Sequence, residues 1–163
     1  MGTVEILLHS GEITVIDADD WPLVKPYRWY ALHTDRTTYA HTNRTVDGRS
    51  IPSNLLHRML LNAKSGEFVD HKDHNGLNNR RTNLRACTQT QNNGNARLSR
   101  ANTSGYRGVY WHKGCRKWCA RIKVDYKYRT LGSFSDPWTA AQIYNTAATK
   151  IWGEFAYQNE RIV

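Results

Sequence analysis

Between Gly105 and Gly153 the hydrophobic repeat switches from two residues to about 3.6, and that switch limits the fold more than any other feature. The stretches GYRGVYW, KWCARIKV and YKYRTLGSF alternate and are rich in β-branched and aromatic residues. They predict three strands, with turns at HKGCR and DYK. Alternation in the middle strand sends Trp118, Ala120, Ile122 and Val124 to one face, and Cys119, Arg121 and Lys123 to the other. Asp136 then caps a helix that has Pro137 at its first position and Gly153 at its end. Ala140, Ala141, Tyr144, Ala147, Ala148, Ile151 and Trp152 recur at helical spacing. An alanine-rich stripe lets a helix lie very close to a small sheet. The expectation is a three-stranded antiparallel sheet packed on one helix, its basic face left open.

Upstream the elements are shorter. VEILL and EITVID predict strands joined by a Ser-Gly turn, and DADDWPLV a short helical turn with Pro22 near its start. YRWYALH, TYAHTNRT and SIPSNLL predict three more strands, separated by TDRT and by VDGR, an Asp-Gly hairpin signal. LLHRMLL predicts a short buried helix, and a further short helix can follow Thr88. From Gly94 to Ser104 the chain has almost no apolar residue and reads as a linker charged by Arg97 and Arg100. The fold class is therefore α+β. Its expected parts are a β-rich module over 1–54, a core over 55–95, a basic polar linker over 96–104 and the sheet-on-helix domain over 105–163.

Charge separates these parts. Met1 to Asn54 holds five Lys/Arg against seven Asp/Glu, a net of −2; the remainder holds eighteen against seven, a net of +11. A basic excess confined to two thirds of a chain and interleaved with Trp and Tyr points to a polyanionic partner, above all nucleic acid. Three cysteines do not make a disulfide framework and fit a reducing compartment. No apolar run is long enough to span a membrane and no export signal follows Met1, so the expected setting is cytoplasmic, without a membrane partner. His112, Cys115 and Cys119 resemble half a zinc site without a fourth ligand, and alternation aims Cys119 outward. Cys87 reads as a small core residue. Tyr106, Tyr110 and Trp111 stand open between core packing and base stacking.

The densest chemistry lies in VDHKDHNGLNNRRTNL, where Asp70, His71, Asp73 and His74 fall within five residues. The bland alternative is an Asx-type turn carrying a surface histidine. A carboxylate and an amide oxygen are hard ligands suited to Mg²⁺ or Mn²⁺, and a neighbouring imidazole can take a proton from an attacking water. Asp73 and His74 sit just past that point and read as solvated loop.

VDHKDHNGLNNRRTNLRACTQTQNN resembles the ββα-metal motif of HNH endonucleases, specifically the phage-type homing nucleases. In that family an Asp-His pair ends the first strand, and Asn or His positions follow at twelve and twenty-one residues; here these are Asp70, His71, Asn83 and Asn92. The resemblance implies that His71 is the general base, that Asp70 and Asn92 hold one divalent cation, and that Asn83 ties the hairpin and orients His71. His57 matches a histidine usual just upstream, as a packing or supporting partner. Gly105 to Asn159, through YRGV, KWCARI, LGSF and the helix, resembles the APETALA-type DNA-binding domain of plant ethylene-response factors (ERF). That family reads the major groove with its sheet, and Arg107 falls at one of its contacts. Tyr110, His112, Cys115, Tyr128 and Thr130 replace other family contact residues, so only the docking mode carries over.

The two resemblances together imply a metal-dependent, site-specific DNA endonuclease of the homing type, as in phage and bacterial nucleases that join such modules. Candidate duplex contacts are Arg81, Arg85, Arg97, Arg100, Arg107, Tyr110, His112, Arg121, Lys123 and Arg129. No coiled-coil or self-complementary pattern is visible, which favours a monomer, with a dimer on DNA as the alternative. The competing class is a DNA-binding regulator whose nuclease motif is vestigial.

Overall fold

The computed structural model describes residues 2–46 and 49–162, with the backbone alone over 44–46 and 49–53. The chain divides into two compact units, Met1–Thr88 and Gln89–Val163. In the first, the alternating N-terminal stretches form the antiparallel pair β1 (Thr3–Leu7) and β2 (Ile13–Asp17), in register from Thr3 opposite Asp17 to Leu7 opposite Ile13. A 3-10 turn at Ala18–Asp20 leads into α1 (Trp21–Val24), with Pro22 in its first turn as expected. β3 (Tyr30–His33), β4 (Thr38–Val46) and β5 (Arg49–Leu55) form an antiparallel sheet in that order. The Asp47-Gly48 turn expected between β4 and β5 lies outside the described residues. α2 (Leu56–Leu60) follows directly, and the hairpin of β6 (Phe68–His71) and β7 (Leu84–Cys87) completes the unit.

One hydrophobic cluster joins most of these pieces. Leu8 and Ile16 come from the first hairpin, Val24 and Trp29 from α1 and the turn after it, Ala40 from β4, Leu56 and Leu60 from α2, and Leu84 from β7. Burying each large aliphatic or aromatic side chain contributes about 1.5–3 kcal/mol. The N-terminal strands and the β6–β7 hairpin therefore depend on one another for burial.

The second unit opens with α3 (Gln89–Asn95), the short helix expected after Thr88. It runs one residue past Gly94, where the linker was expected to begin. Gly94 and Asn95 are buried, and residues 96–104 hold no helix or strand. Glycine is required at 94 because a Cβ there would stand 2.7 Å from the Trp152 ring. β8 (Val109–His112), β9 (Lys117–Val124) and β10 (Lys127–Phe134) form an antiparallel sheet in the order β10-β9-β8, with an irregularity between Thr130 and Gly132. α4 (Pro137–Trp152) packs on it, capped where Thr139 N–H donates to Asp136 Oδ2 at 2.7 Å. Ala140, Ala141, Tyr144, Ala148 and Trp152 are buried as the stripe predicts, whereas Ile151 turns to solvent at 39 % exposure. This sheet-on-helix arrangement matches the expected α+β architecture. Among the described residues no helix is long and apolar enough to cross a membrane.

Candidate functional site

β6 ends on Asp70 and His71, and the pleat sends adjacent side chains to opposite sides. Asp70 lies opposite Arg85 in the ladder, and Arg85 donates to its Oδ2 from Nε at 2.9 Å and from Nη2 at 2.8 Å. Both side chains are largely buried. Each member of a pair this enclosed compensates the buried charge of the other, so either member alone would be strongly destabilising.

His71, 5 % exposed, sits in an aromatic pocket. The His57 ring meets it edge-on with centroids 4.9 Å apart, and Tyr39 lies 5.8 Å from it and 5.3 Å from His57. His71 Nε2 is 3.2 Å from Asn79 Oδ1. Burial pushes His71 below the ordinary imidazole range, against the Asn79 hydrogen bond and the charges of Asp73 and Asp70. Burial, reinforced by His71 and Arg58, lowers His57 to about 3, and its Nδ1 is buried without a hydrogen-bond partner. Both imidazoles are thus neutral near pH 7. Tyr39 is pushed up by burial and then by Asp70.

The loop between β6 and β7 is built from amide hydrogen bonds. Asn83 Nδ2 donates to Asp73 Oδ1 at 2.9 Å and to the Asn78 carbonyl at 2.8 Å, while its Oδ1 accepts from Asp73 N–H at 3.1 Å. Asn83 therefore ties the hairpin as expected, but a hydrogen-bond partner of the His71 ring is Asn79. Asp73 is the exposed loop residue that its position suggests, but its carboxylate is hydrogen-bonded rather than left to water alone. Its carboxylate also accepts from Asn75 N–H at 2.8 Å and from Asn78 Nδ2 at 2.7 Å, closing an Asx turn. Against the desolvation of partial burial, these bonds hold it below the usual carboxylate range. Gly76 permits the loop to close on β4, since a Cβ there would stand 2.4 Å from the Thr38 carbonyl oxygen.

The N-terminal hairpin grips the same loop. Val15 N–H donates to the Leu77 carbonyl at 2.9 Å and Asn79 N–H to the Val15 carbonyl at 2.8 Å, a parallel bridge. Arg80 Nε pairs with Asp17 at 3.3 Å, and Arg81 reaches both Asp20 oxygens, its Nη2 at 2.7 Å. Arg81 and Arg85, expected on DNA, are each engaged by a carboxylate. Thr14 and Tyr39 had no local sequence signal, because they reach the site from distant segments; Asn79 and Arg85 lie within the motif segment, where nothing marks which residue each one meets.

In the second unit, Asn92 lies half-buried on α3, and Arg97 and Arg100 are exposed beyond it. Arg107 gives its guanidinium to the Asn93 and Ala96 carbonyls at the end of α3, so it braces the fold. On the outer sheet face, the Arg121 guanidinium lies 4.6 Å from the Tyr110 ring centroid and 4.3 Å from that of Tyr128. Lys123 Nζ is 5.4 Å from Tyr128 and 5.9 Å from Tyr126. His112 Nδ1 accepts from Cys115 N–H, closing the β8–β9 turn. Arg129 is registered opposite inward-facing Ile122, so the pleat sends it away from Arg121 and Lys123. Cys119 is buried beside Ser133, with Sγ and Oγ 3.2 Å apart, rather than exposed on the outer face. Tyr106 is core and packs on Trp138; Trp111 is exposed at 44 % and meets Trp118 edge-on. Cys87 is half-buried, and desolvation raises its thiol to about 11.

Among the described residues no three His, Cys, Asp or Glu side chains converge to hold a metal ion. A site with one carboxylate and one amide leaves the remaining positions to water and phosphate oxygens, which is how Mg²⁺ is commonly held. Residues 49–94 match the family described as HNH endonuclease. The chain is 29 % identical over 153 residues to "Uncharacterized HNH endonuclease L560" of Acanthamoeba polyphaga mimivirus, covering 93 % of this chain and 76 % of that protein. It is 32 % identical over 91 residues to "Protein 3.8" of Escherichia phage T7, covering 56 % of this chain and 74 % of that protein. No solved structure matches it. The chain therefore carries an HNH-type endonuclease domain and belongs to one family with Protein 3.8 of phage T7.

Proposed function

We propose that the protein is a metal-dependent, site-specific DNA endonuclease of the homing type. The observation that carries this reading is the Asp70–His71 pair at the end of β6, inside the matched segment and beneath a loop pinned by Asn83. Asp70 and Asn92 would hold one Mg²⁺ or Mn²⁺, the Asn92 assignment resting on motif spacing. The cation, when bound, polarises the scissile phosphate and stabilises the leaving oxygen. Neutral His71 accepts the proton of the attacking water, and its lowered basicity keeps it in the form that can do so. Asn83 keeps the loop closed, and His57 and Tyr39 exclude water from the other sides of the imidazole.

In this reading 55–95 cuts and 105–163 holds the duplex in register, with its sheet in the major groove in the ERF-like manner. Arg121 and Lys123, held between tyrosine rings, supply phosphate contacts, and Tyr110 and His112 border them. Arg97 and Arg100 track the backbone through the linker. One centre per chain cuts one strand, so the monomer nicks, and two molecules would be needed for a double-strand break. Such an enzyme works where its DNA is, in the cytoplasm of a phage-infected or bacterial cell.

A second reading is a DNA-binding regulator with vestigial nuclease residues; the pairing of Asp70 with Arg85 favours it. Incubating supercoiled plasmids carrying a random-site library with Mg²⁺ or Mn²⁺ separates the two. The nuclease relaxes or linearises a subset of sites and His71→Ala does not. A wild type that binds DNA and cuts none of it leaves only the regulator.

A further inference from the structure

The N-terminal hairpin brings a polar side chain to the nuclease loop in a way that fixes the direction of every hydrogen bond between them. The Leu77 carbonyl can only accept, so the single proton of the Thr14 hydroxyl goes to it, at 2.8 Å. Thr14 Oγ1 then accepts from Asn79, at 2.8 Å, which identifies the amide atom facing it as Nδ2. The Gly76 carbonyl, at a longer 3.2 Å from the same Nδ2, agrees with that assignment but holds the amide less firmly than Thr14 does. With Nδ2 committed twice, the atom facing His71 is the amide oxygen, and Oδ1 can only accept. His71 Nε2, 3.2 Å away, therefore carries the proton, and in the neutral ring the lone pair is on Nδ1. Thr14 and Asn79 are both fully buried, so no water competes for these partners.

We infer that Thr14 and Asn79 are positioning residues that hold His71 in one ring orientation and one tautomer, presenting Nδ1 as the base. The inference rests on the nuclease reading for its catalytic meaning, and it gives the N-terminal hairpin a function within that reaction. It also explains why Val15 is stitched to Leu77 and Asn79 on either side: the bridge fixes the height of Thr14 against the amide.

The test reads the imidazole directly and then the rate. In ¹⁵N-labelled wild type, His71 is expected to show an Nε2–H proton protected from solvent exchange, with Nδ1 unprotonated. Thr14→Val and Asn79→Leu are expected to lose that protected proton. Their single-turnover cleavage rate is expected to fall about 10- to 100-fold, as when partners of other functional histidines are removed, with DNA affinity unchanged. Thr14→Ser, which keeps the hydroxyl, restores both signal and rate. A folded Thr14→Val protein with signal and rate unchanged overturns the inference. So does a wild-type His71 protonated on Nδ1, which decides the matter even where the variants do not fold. A wild type with Nε2–H in place that cuts no DNA defeats the nuclease reading and supports the tie between hairpin and histidine. Cleavage with Nδ1 protonated defeats only the tie.

Discussion

At the scale of single residues, the centre is a set of groups that cannot be removed one at a time. Arg85→Ala leaves the Asp70 carboxylate buried without its partner, which costs about 3–5 kcal/mol. A urea melt should register this loss, and Mg²⁺ should recover more stability in the variant than in wild type, because the cation replaces the missing positive charge. An equal response in both proteins would remove Asp70 from the ligand set. His57 supplies a pH dependence whose sign follows from its burial. Its folded value, about 3, lies below the ordinary 6.5, so the unfolded chain binds the proton first. The stabilisation is complete above about pH 6.5 and is lost as pH falls towards about 3, at up to about 1.4 kcal/mol per pH unit. His57→Phe should flatten that part of the stability profile. The motif residues themselves were legible, since Asp70, His71 and Asn83 stand at fixed spacing in one short segment. Asn79 was not, because one asparagine among several in LNNRRTN carries no mark of which one meets an imidazole.

At the scale of elements, local periodicity placed the strands and helices well, and the exceptions have physical causes. Ile151 satisfies the helical repeat but flanks the buried line of Tyr144, Ala148 and Trp152, on the side where Ala147 is only half-buried. Cys119 alternates outward, yet Ser133 on β10 covers it. The linker was expected from Gly94 because the stretch that follows has almost no apolar residue. Here glycine is present because α3 approaches the Trp152 ring too closely for any side chain. Gly94→Ala tests that account by setting two effects against each other. The helix gains about 0.8–1.0 kcal/mol in propensity, but overpacking costs about 1–3 kcal/mol. Packing should win, lowering the thermal midpoint of the second unit; a raised midpoint would mean that the ring gives way freely.

At the scale of the whole molecule, charge divides as the two units do. Met1–Thr88 carries eleven Lys/Arg against ten Asp/Glu, and Gln89–Val163 twelve against four, so nearly the whole excess lies in the second. In the proposed reading, long-range attraction to DNA is accordingly expected of that unit. Replacing both Arg121 and Lys123 by Ala should reduce the slope of log K against log salt by about 2, leaving the rate of cutting by bound protein unchanged. An unchanged slope would move the duplex off that sheet face. The sequence made this charge division visible by counting alone. It could not reveal that Leu8, Ile16 and Leu84 share one core, because burial between distant segments leaves no periodic trace.

That shared core bears on how such a nuclease could be transplanted. The segment matching the family begins at residue 49, but Leu8, Ile16, Val24, Trp29 and Ala40, which cover its apolar side, all precede that point. A fusion built from 49–94 would carry the motif into its new host without the wall it leans on. The graft that travels intact begins with the first hairpin.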